Sequence, residues 1–203
     1  MALLNLKIPE QQFEIVRDRI GFILADEIAA QALIAPATPE LDATVFLERF
    51  VPFDKTDIPC LNVTFASGSY GNEDAKNSTG TYKYNIDVYA KAKSTTTDGG
   101  DKLATIKLHR LLGIVRAILE SPQYMTLAFP RPSLNRVTVV DIAIEQPQNT
   151  QDGSSVIMGR VTFDVSVCEG VQLLTGQDIG GYKTEVKMNE TDKGYQFSNI
   201  VIP

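Results

Sequence analysis

Two stretches of this chain alternate apolar and polar residues with a period of two. In the first, Tyr82, Tyr84, Ile86, Val88, Ala90 and Ala92 share one parity, and Thr81, Lys83, Asn85, Asp87, Tyr89 and Lys91 fill the other. In the second, Ile157, Gly159, Val161, Phe163, Val165 and Val167 alternate with Met158, Arg160, Thr162, Asp164, Ser166 and Cys168. A period of two predicts strands with one buried and one wet face. Such a sheet prefers antiparallel pairing and needs a cover over its apolar side. Residues 101–120 supply one cover: Leu103, Ala104, Leu108, Leu111, Leu112, Val115, Ile118 and Leu119 form a helical stripe. Asp98 or Asp101 is the expected cap of that helix, and Ser121-Pro122 ends it.

A second helix is expected near the start. Pro9 and Glu10 suit a first turn, and Phe13, Val16, Ile20, Ile23, Leu24 and Ile28 follow at helical spacing up to about Leu33. Ile15 and Phe22 lie off that stripe, which hints at a second contact surface. Further strands are expected over residues 43–53, 58–67 and 131–145, with Val137 and Val139 opposing Val140, Ile142 and Ile144. Residues 68–77 read as a polar, mobile loop, residues 94–100 as a polar connector, and residues 147–154 as a long hairpin loop. Residues 155–169 are expected to close the sheet. Beyond Gly170, glycines 176, 180 and 181 break the chain, and two short alternating pieces, 182–188 and 195–203, suggest a hairpin. Tyr195, Phe197 and Ile200 make that tail too apolar for a disordered tag. The fold class expected is α+β: a mostly antiparallel sheet covered by two main helices, over residues 1–170, with a hairpin-like extension over 171–203.

Composition narrows the function. The 203 residues are 43% hydrophobic and 22% charged, ordinary values for a globular protein with one core. No apolar run reaches the roughly 18 to 20 residues of a membrane-spanning helix, and residues 1–9 lack the pattern of a secretory signal. The formal charge of −6 argues against tight binding of nucleic acid. It does not exclude a surface past which nucleic acid slides, since a negative wall repels phosphate.

Candidate chemistry is sparse. The single histidine, His109, lies inside the second helix without the convergent ligands a metal needs or a nearby serine nucleophile. Cys60 and Cys168 sit in predicted strands as small hydrophobes, the latter on the polar parity. Adjacent carboxylates such as Asp26 and Glu27 point apart on a helix. Asp141 and Glu145 would stand roughly 13 Å apart on a strand, too far for a glycosidase pair. No glycine cluster has a phosphate-binding context. Arg131, Arg136 and Arg160 are a candidate basic cluster on adjacent strands, with pairing across the sheet to Asp141, Asp164 or Glu145 as the ordinary expectation. The expectation is a protein with no catalytic, cofactor or metal residues.

The order helix, two strands, long loop, long strand, helix, strand hairpin resembles the tail terminator, or tail completion, proteins of long-tailed bacteriophages. The stretches that carry the likeness are FEIVRDRIGFILADEIA, VFLERFVPFDKTDIPCLNV, TYKYNIDVYAKA, DKLATIKLHRLLGIVRAIL and SSVIMGRVTFDVSV, within residues 10 to 170. The resemblance implies a structural protein, not an enzyme. It would form a ring, commonly a hexamer, on the end of the tail tube, and stop tube and sheath polymerisation. It would also present a docking surface to the neck and head connector, at the tail–neck junction of a virion assembled in the host cytoplasm. DNA would pass through the lumen without specific binding, and no membrane or cofactor is implied. Candidate interface residues are Phe22 on the first helix, Glu73 and Asp74 in the 68–77 loop, Lys83 and Asp87 on the polar strand face, and Tyr195, Phe197 and Ile200 in the tail; the 94–98 connector is a further candidate contact. Another phage neck, head-completion or tube component, or a small-ligand-binding α+β domain, is the alternative.

Overall fold

The computed structural model describes residues 10–50, 53, 56–72, 77–129, 134–144, 148–149, 154–170, 184–186 and 195–197. Helix α1 spans Gln12–Ile34 and helix α2 Gly100–Leu119. The strands are β1 (Thr44–Leu47), β2 (Cys60–Asn72), β3 (Asn77–Lys93), β4 (Leu134–Ile144), β5 (Gln148–Asn149), β6 (Ser154–Gly170), β7 (Thr184–Val186) and β8 (Tyr195–Phe197). The chain divides into two compact units, with one boundary between Val171 and Gln172. The larger unit is an α+β layer pair: one mostly antiparallel sheet, ordered β1-β2-β3-β6-β4 with β5 on β6, under two helices. In the smaller unit β7 and β8 form a separate antiparallel pair.

The core follows the period-two reading. All six inward residues of β3 are buried, as are Ile157, Val161, Phe163, Val165 and Val167 of β6. β3 and β6 pair without a break from Asn77↔Gly170 to Lys93↔Ser154. Because the register is unbroken, the two apolar parities meet on one face. Helix α2 lies on β3 and β6, and α1 on β1 and β2. Each fully buried leucine, isoleucine or valine contributes about 1.5–3 kcal/mol, so the α2 stripe against β6 is a large share of the stability. Gly159 sets that approach: a Cβ there would lie 2.8 Å from Leu112 Cδ1 and 3.3 Å from Leu108 Cδ2. Gly21 does the same for α1, where a Cβ would run into the Leu47 side chain.

Several elements differ from expectation. Helix α1 begins at Gln12, where the Gln11 N–H donates to Glu14 Oε2 at 2.7 Å. Helix α2 is capped at Gly99, and neither Asp98 nor Asp101 takes that place. Instead Ser94 Oγ accepts from Gly100 N–H at 3.0 Å, while Asp98 pairs with Lys102 at 2.7 Å. Residues 68–72 and 77 are strand, not loop: Gly68 to Asn72 pair with Tyr82 to Ser78. Hairpin pairing outweighs turn composition here because the glycines make room for a ring. A Cβ at Gly68 would come within 3.2 Å of the Tyr82 ring and one at Gly80 within 3.3 Å.

β1 is short and pairs parallel with β2, from Thr44↔Cys60 to Leu47↔Val63. It stops at Glu48, whose φ of 49° is left-handed. There the Glu48 N–H donates to Val63 O at 3.0 Å, and its Oε1 accepts from Phe65 N–H at 2.8 Å. A parallel pair needs a crossover of about a dozen residues; of the segment between β1 and β2, Arg49, Phe53 and Asp57 lie on the face without helices, against Asn62 and Tyr89. The Ile58–Pro59 peptide within it is cis. β6 does not close the sheet; it lies inside it, between β3 and β4. The 147–154 loop is shorter than expected, since β5 pairs Gln148 with Val156 and Asn149 with Ser155. In β4 a register shift between Val139 and Asp141 brings Ile142 and Ile144 opposite Val161 and Gly159. They therefore share the helix side with Val137 and Val139, and do not oppose them.

Candidate functional site

Among the described residues the sheet ends in two unpaired edges at the same level. On one side β1 covers β2 only as far as Val63. Beyond Phe65, where Glu48 satisfies the last edge amide, no strand among the described residues pairs with the outer side of residues 66–69. On the other side β4 is the outermost strand over eleven residues. Following the ladders across, Gly68 pairs with Tyr82, Tyr82 with Val165 and Val165 with Val137. The two edges thus face opposite directions in one row of the sheet, and the chain runs along them in opposite senses.

The β4 edge is apolar. Val140, Ile142 and Ile144 are 53%, 37% and 46% exposed. The signal was in the sequence: residues 137–144 are apolar on both parities, which a one-faced strand does not need. A bulged edge resists indiscriminate pairing while leaving these side chains for a matched partner.

The helix-free face of the sheet is polar and cross-linked. Asp87, 7% exposed, takes a fork from Arg160, with Nε at 2.6 Å and Nη2 at 2.9 Å. Thr162 Oγ1 donates to Asn85 Oδ1 at 3.1 Å. The crossover clamps this face near β1. The Asn62 side chain holds both Arg49 N–H (3.1 Å) and Arg49 O (2.9 Å), and the Arg49 guanidinium pairs with Asp57 at 2.8 Å between the rings of Phe46 and Phe53. Beneath it Cys60 is fully buried, and desolvation, with Asp57 adding to it, pushes its thiol up to about 12. Cys168 is half-buried, and both thiols are free. Among the described strand residues this face carries Lys83, Lys91, Lys93 and Arg160 as well as Asp87, Asp141 and Asp164.

The expected interface residues scatter. Phe22 is 60% exposed on α1, with the Arg19 guanidinium 5.3 Å from its ring centre. Lys83 is exposed on the polar face. Asp87 is not an open contact residue: its carboxylate is consumed by Arg160, because the crossover and the neighbouring strands shield it. The fork gives Arg160 a partner, Asp87, outside the expected set of Asp141, Asp164 or Glu145, of which Glu145 lies outside the described residues. Glu73, Asp74 and Ile200 lie outside the described residues, as does Arg131; the side chains of Tyr195, Phe197 and Arg136 do too. Ser94–Asp98 is mostly exposed and is spent on capping α2 and on a tight turn in which Thr95 N–H donates to Asp98 O. His109 is exposed on α2.

An open groove of about 450 Å³ separates the helices, between Glu27 and Gln31 of α1 and Arg110, Gly113, Ile114 and Ala117 of α2. The Tyr124 hydroxyl donates to Glu27 Oε1 at one end, and this hydrogen bond is the main reason the phenol's pKa is raised. Among the described residues no group of three or more histidine, cysteine or carboxylate side chains is placed to hold a metal ion. No described helix is long and apolar enough to cross a membrane. No protein-family model and no curated protein matches this chain.

Proposed function

We propose that this chain is a structural assembly subunit that joins copies of itself head to tail into a closed ring, in the manner of a phage tail terminator. The observation that carries the reading is the pair of open edges. β2 and β4 run in opposite senses. A copy rotated about a ring axis therefore offers its β2 edge to the neighbour's β4 edge in antiparallel register. Such a contact is heterologous and closes when the rotation closes. Val140, Ile142 and Ile144 would gain cover at each joint, about 1 kcal/mol for each half-exposed side chain, alongside the strand hydrogen bonds. A ring of this kind caps the last ring of a tail tube, halts tube and sheath growth, and offers its far side to the neck. A chain of net charge −6 gives DNA little to hold.

The test is assembly. Light scattering and negative-stain microscopy of the purified chain are expected to give discrete rings, lost in Ile142→Lys and Val140→Lys. Added to polymerising tail-tube subunits, the wild-type chain is expected to stop growth at tube ends. Fibres made by the chain alone would favour a tube subunit, and a monomer that ignores tube ends would overturn the proposal.

A further inference from the structure

One row of the sheet ends in a part-exposed apolar side chain at both edges. The ladders carry Leu47 to Val63, Val63 to Ile86, Ile86 to Val161 and Val161 to Ile142. Leu47 is 41% exposed and Ile142 37%. Both stand on the helix side: Gly21 of α1 makes room for Leu47, and the bulge turns Ile142 to the side of Val137. Ile144 continues this apolar surface along β4. A single exposed apolar side chain is ordinary. Two of them at one level, on one face and at opposite edges, are a matched pair.

The helices flank that row in the same way. α1 turns Glu27 and Gln31 toward α2. On its other side Arg17 reaches toward Glu48 at the end of β1, and Gly21 abuts Leu47. Beside them the Asp18 side chain is 52% exposed, in a group where one guanidinium, Arg17, stands among Asp18, Glu48 and Glu14. α2 turns Arg110 and Gly113 toward α1. On its other side Leu112 packs over Gly159, the ladder partner of Ile144. One turn further, Arg116 is 56% exposed and pairs with Glu120 of its own helix, an exposed pair of little strength. α2 starts beside Ser155 and runs toward Val161. Its four residues from Leu112 to Arg116 rise about 6 Å, and the two strand residues from Gly159 to Val161 span about 6.6 Å. Arg116 therefore stands level with the row that joins Leu47 to Ile142. Gly21 stands there as well, and Asp18 is less than one turn away.

We infer that the ring joint has a second, helical layer, in which Leu47 and the outer flank of α1 of one copy seat on Ile142 and Ile144 of the next, and Asp18 of the first pairs with Arg116 of the second. This rests on the ring reading and deepens it. A rotation about an axis along the strands keeps every residue at its own height. It brings residues 66–69 of β2 against β4 around Val137 and, in the same movement, Leu47 against Ile142. Because α1 covers β1 and β2 while α2 covers β3 and β6, the arriving α1 comes to lie beside α2 over the flank of β4. The occupant is a second copy because the same chain carries both halves of the contact at matching heights. The apolar contact holds the joint, and the ion pair fixes its register.

Two sets of variants test it, in a Cys168→Ser background that leaves only the fully buried Cys60. Leu47→Cys combined with Ile142→Cys, treated with a short bismaleimide, is expected to give a ladder of linked oligomers ending at the ring. Either single cysteine variant is expected to give none. In the second set, Asp18→Arg and Arg116→Asp are each expected to raise the concentration for half-assembly about five-fold. The double reversal is expected to return it to within about two-fold of the starting value. Circular dichroism checks that each variant folds. Rings without a ladder would overturn the inference and leave the ring standing. Charge reversals that assemble as well as the parent, or a double reversal no better than the single ones, would overturn it too. A parent chain that forms no ring would sink the ring reading itself.

Discussion

Two tyrosines of β3, two residues apart and both fully buried, invite a direct comparison. Tyr84 donates its hydroxyl to Phe13 O at 2.8 Å, tying the first turn of α1 to the middle of the sheet. The Tyr82 hydroxyl is buried with no hydrogen-bond partner among the described residues. Its ring makes up the difference through edge contacts with Phe13 (6.3 Å), Phe65 (6.1 Å) and Tyr70 (5.8 Å). Tyr84→Phe removes a net contribution of about 1 kcal/mol. Tyr82→Phe keeps the ring contacts and removes an unpaid desolvation, so stability is expected to rise by about 1 kcal/mol. The variants should therefore differ by about 2 kcal/mol. With a urea slope of about 2 kcal/mol per molar, their midpoints should stand about 1 M apart, on opposite sides of wild type. Urea titration followed by circular dichroism measures this. A Tyr82→Phe midpoint that falls as far as that of Tyr84→Phe would refute the reasoning, because it would mean that the Tyr82 hydroxyl is satisfied.

Other expectations are as direct. Ala128, exposed with φ 60°, should give way to glycine with a gain of about 0.5–1 kcal/mol in thermal or urea unfolding. Gly159→Ala should cost about 1–3 kcal/mol, because α2 must shift or Leu112 must turn. Arg160→Met should cost about 2 kcal/mol by stranding Asp87, and Asp87→Leu combined with Arg160→Met should recover part of that loss in a double-mutant cycle. The Cys60 thiol keeps its proton to about pH 12 when folded, against an ordinary value of 9.0. Between those values the unfolded chain releases that proton and the folded chain does not. Stability should fall as pH rises through the window, by up to about 1.4 kcal/mol per pH unit from this group. Cys60→Ala should flatten that share of the slope, as measured by urea midpoints at stepped pH.

The core was legible because period-two and period-3.6 patterns report burial directly, and β3, β6, α1 and α2 lie where their apolar residues predict. What the pattern missed depended on partners far along the chain. Gly68 to Asn72 read as loop because glycine, serine and asparagine favour turns; only the Tyr82 ring, brought over from the other strand, explains the glycines. Ser94 rather than Asp98 caps α2 because the connector folds back on itself. Ile142 and Ile144 changed face through a bulge that no periodicity announces. Asp87 was missed as a partner of Arg160 because pairing depends on which strand lies alongside: β3 presents Asp87 opposite Arg160. Of the surfaces described, the apolar β4 edge was visible as a run of both parities. The groove left only one trace, a glycine in the middle of a helix.

The central ladder also fixes a schedule for synthesis. The residues of β3 find their partners in β6 between 61 and 93 positions later, from Lys93 with Ser154 to Asn77 with Gly170. At about 5–20 residues per second, the far side of β3 waits roughly 3 to 19 seconds on the ribosome for its neighbour. During that interval the β2–β3 hairpin presents a seventeen-residue flank to the cell. Co-translational shielding of that flank, by α1 folding back or by a chaperone, is what a nascent chain of this topology has to secure until β6 arrives.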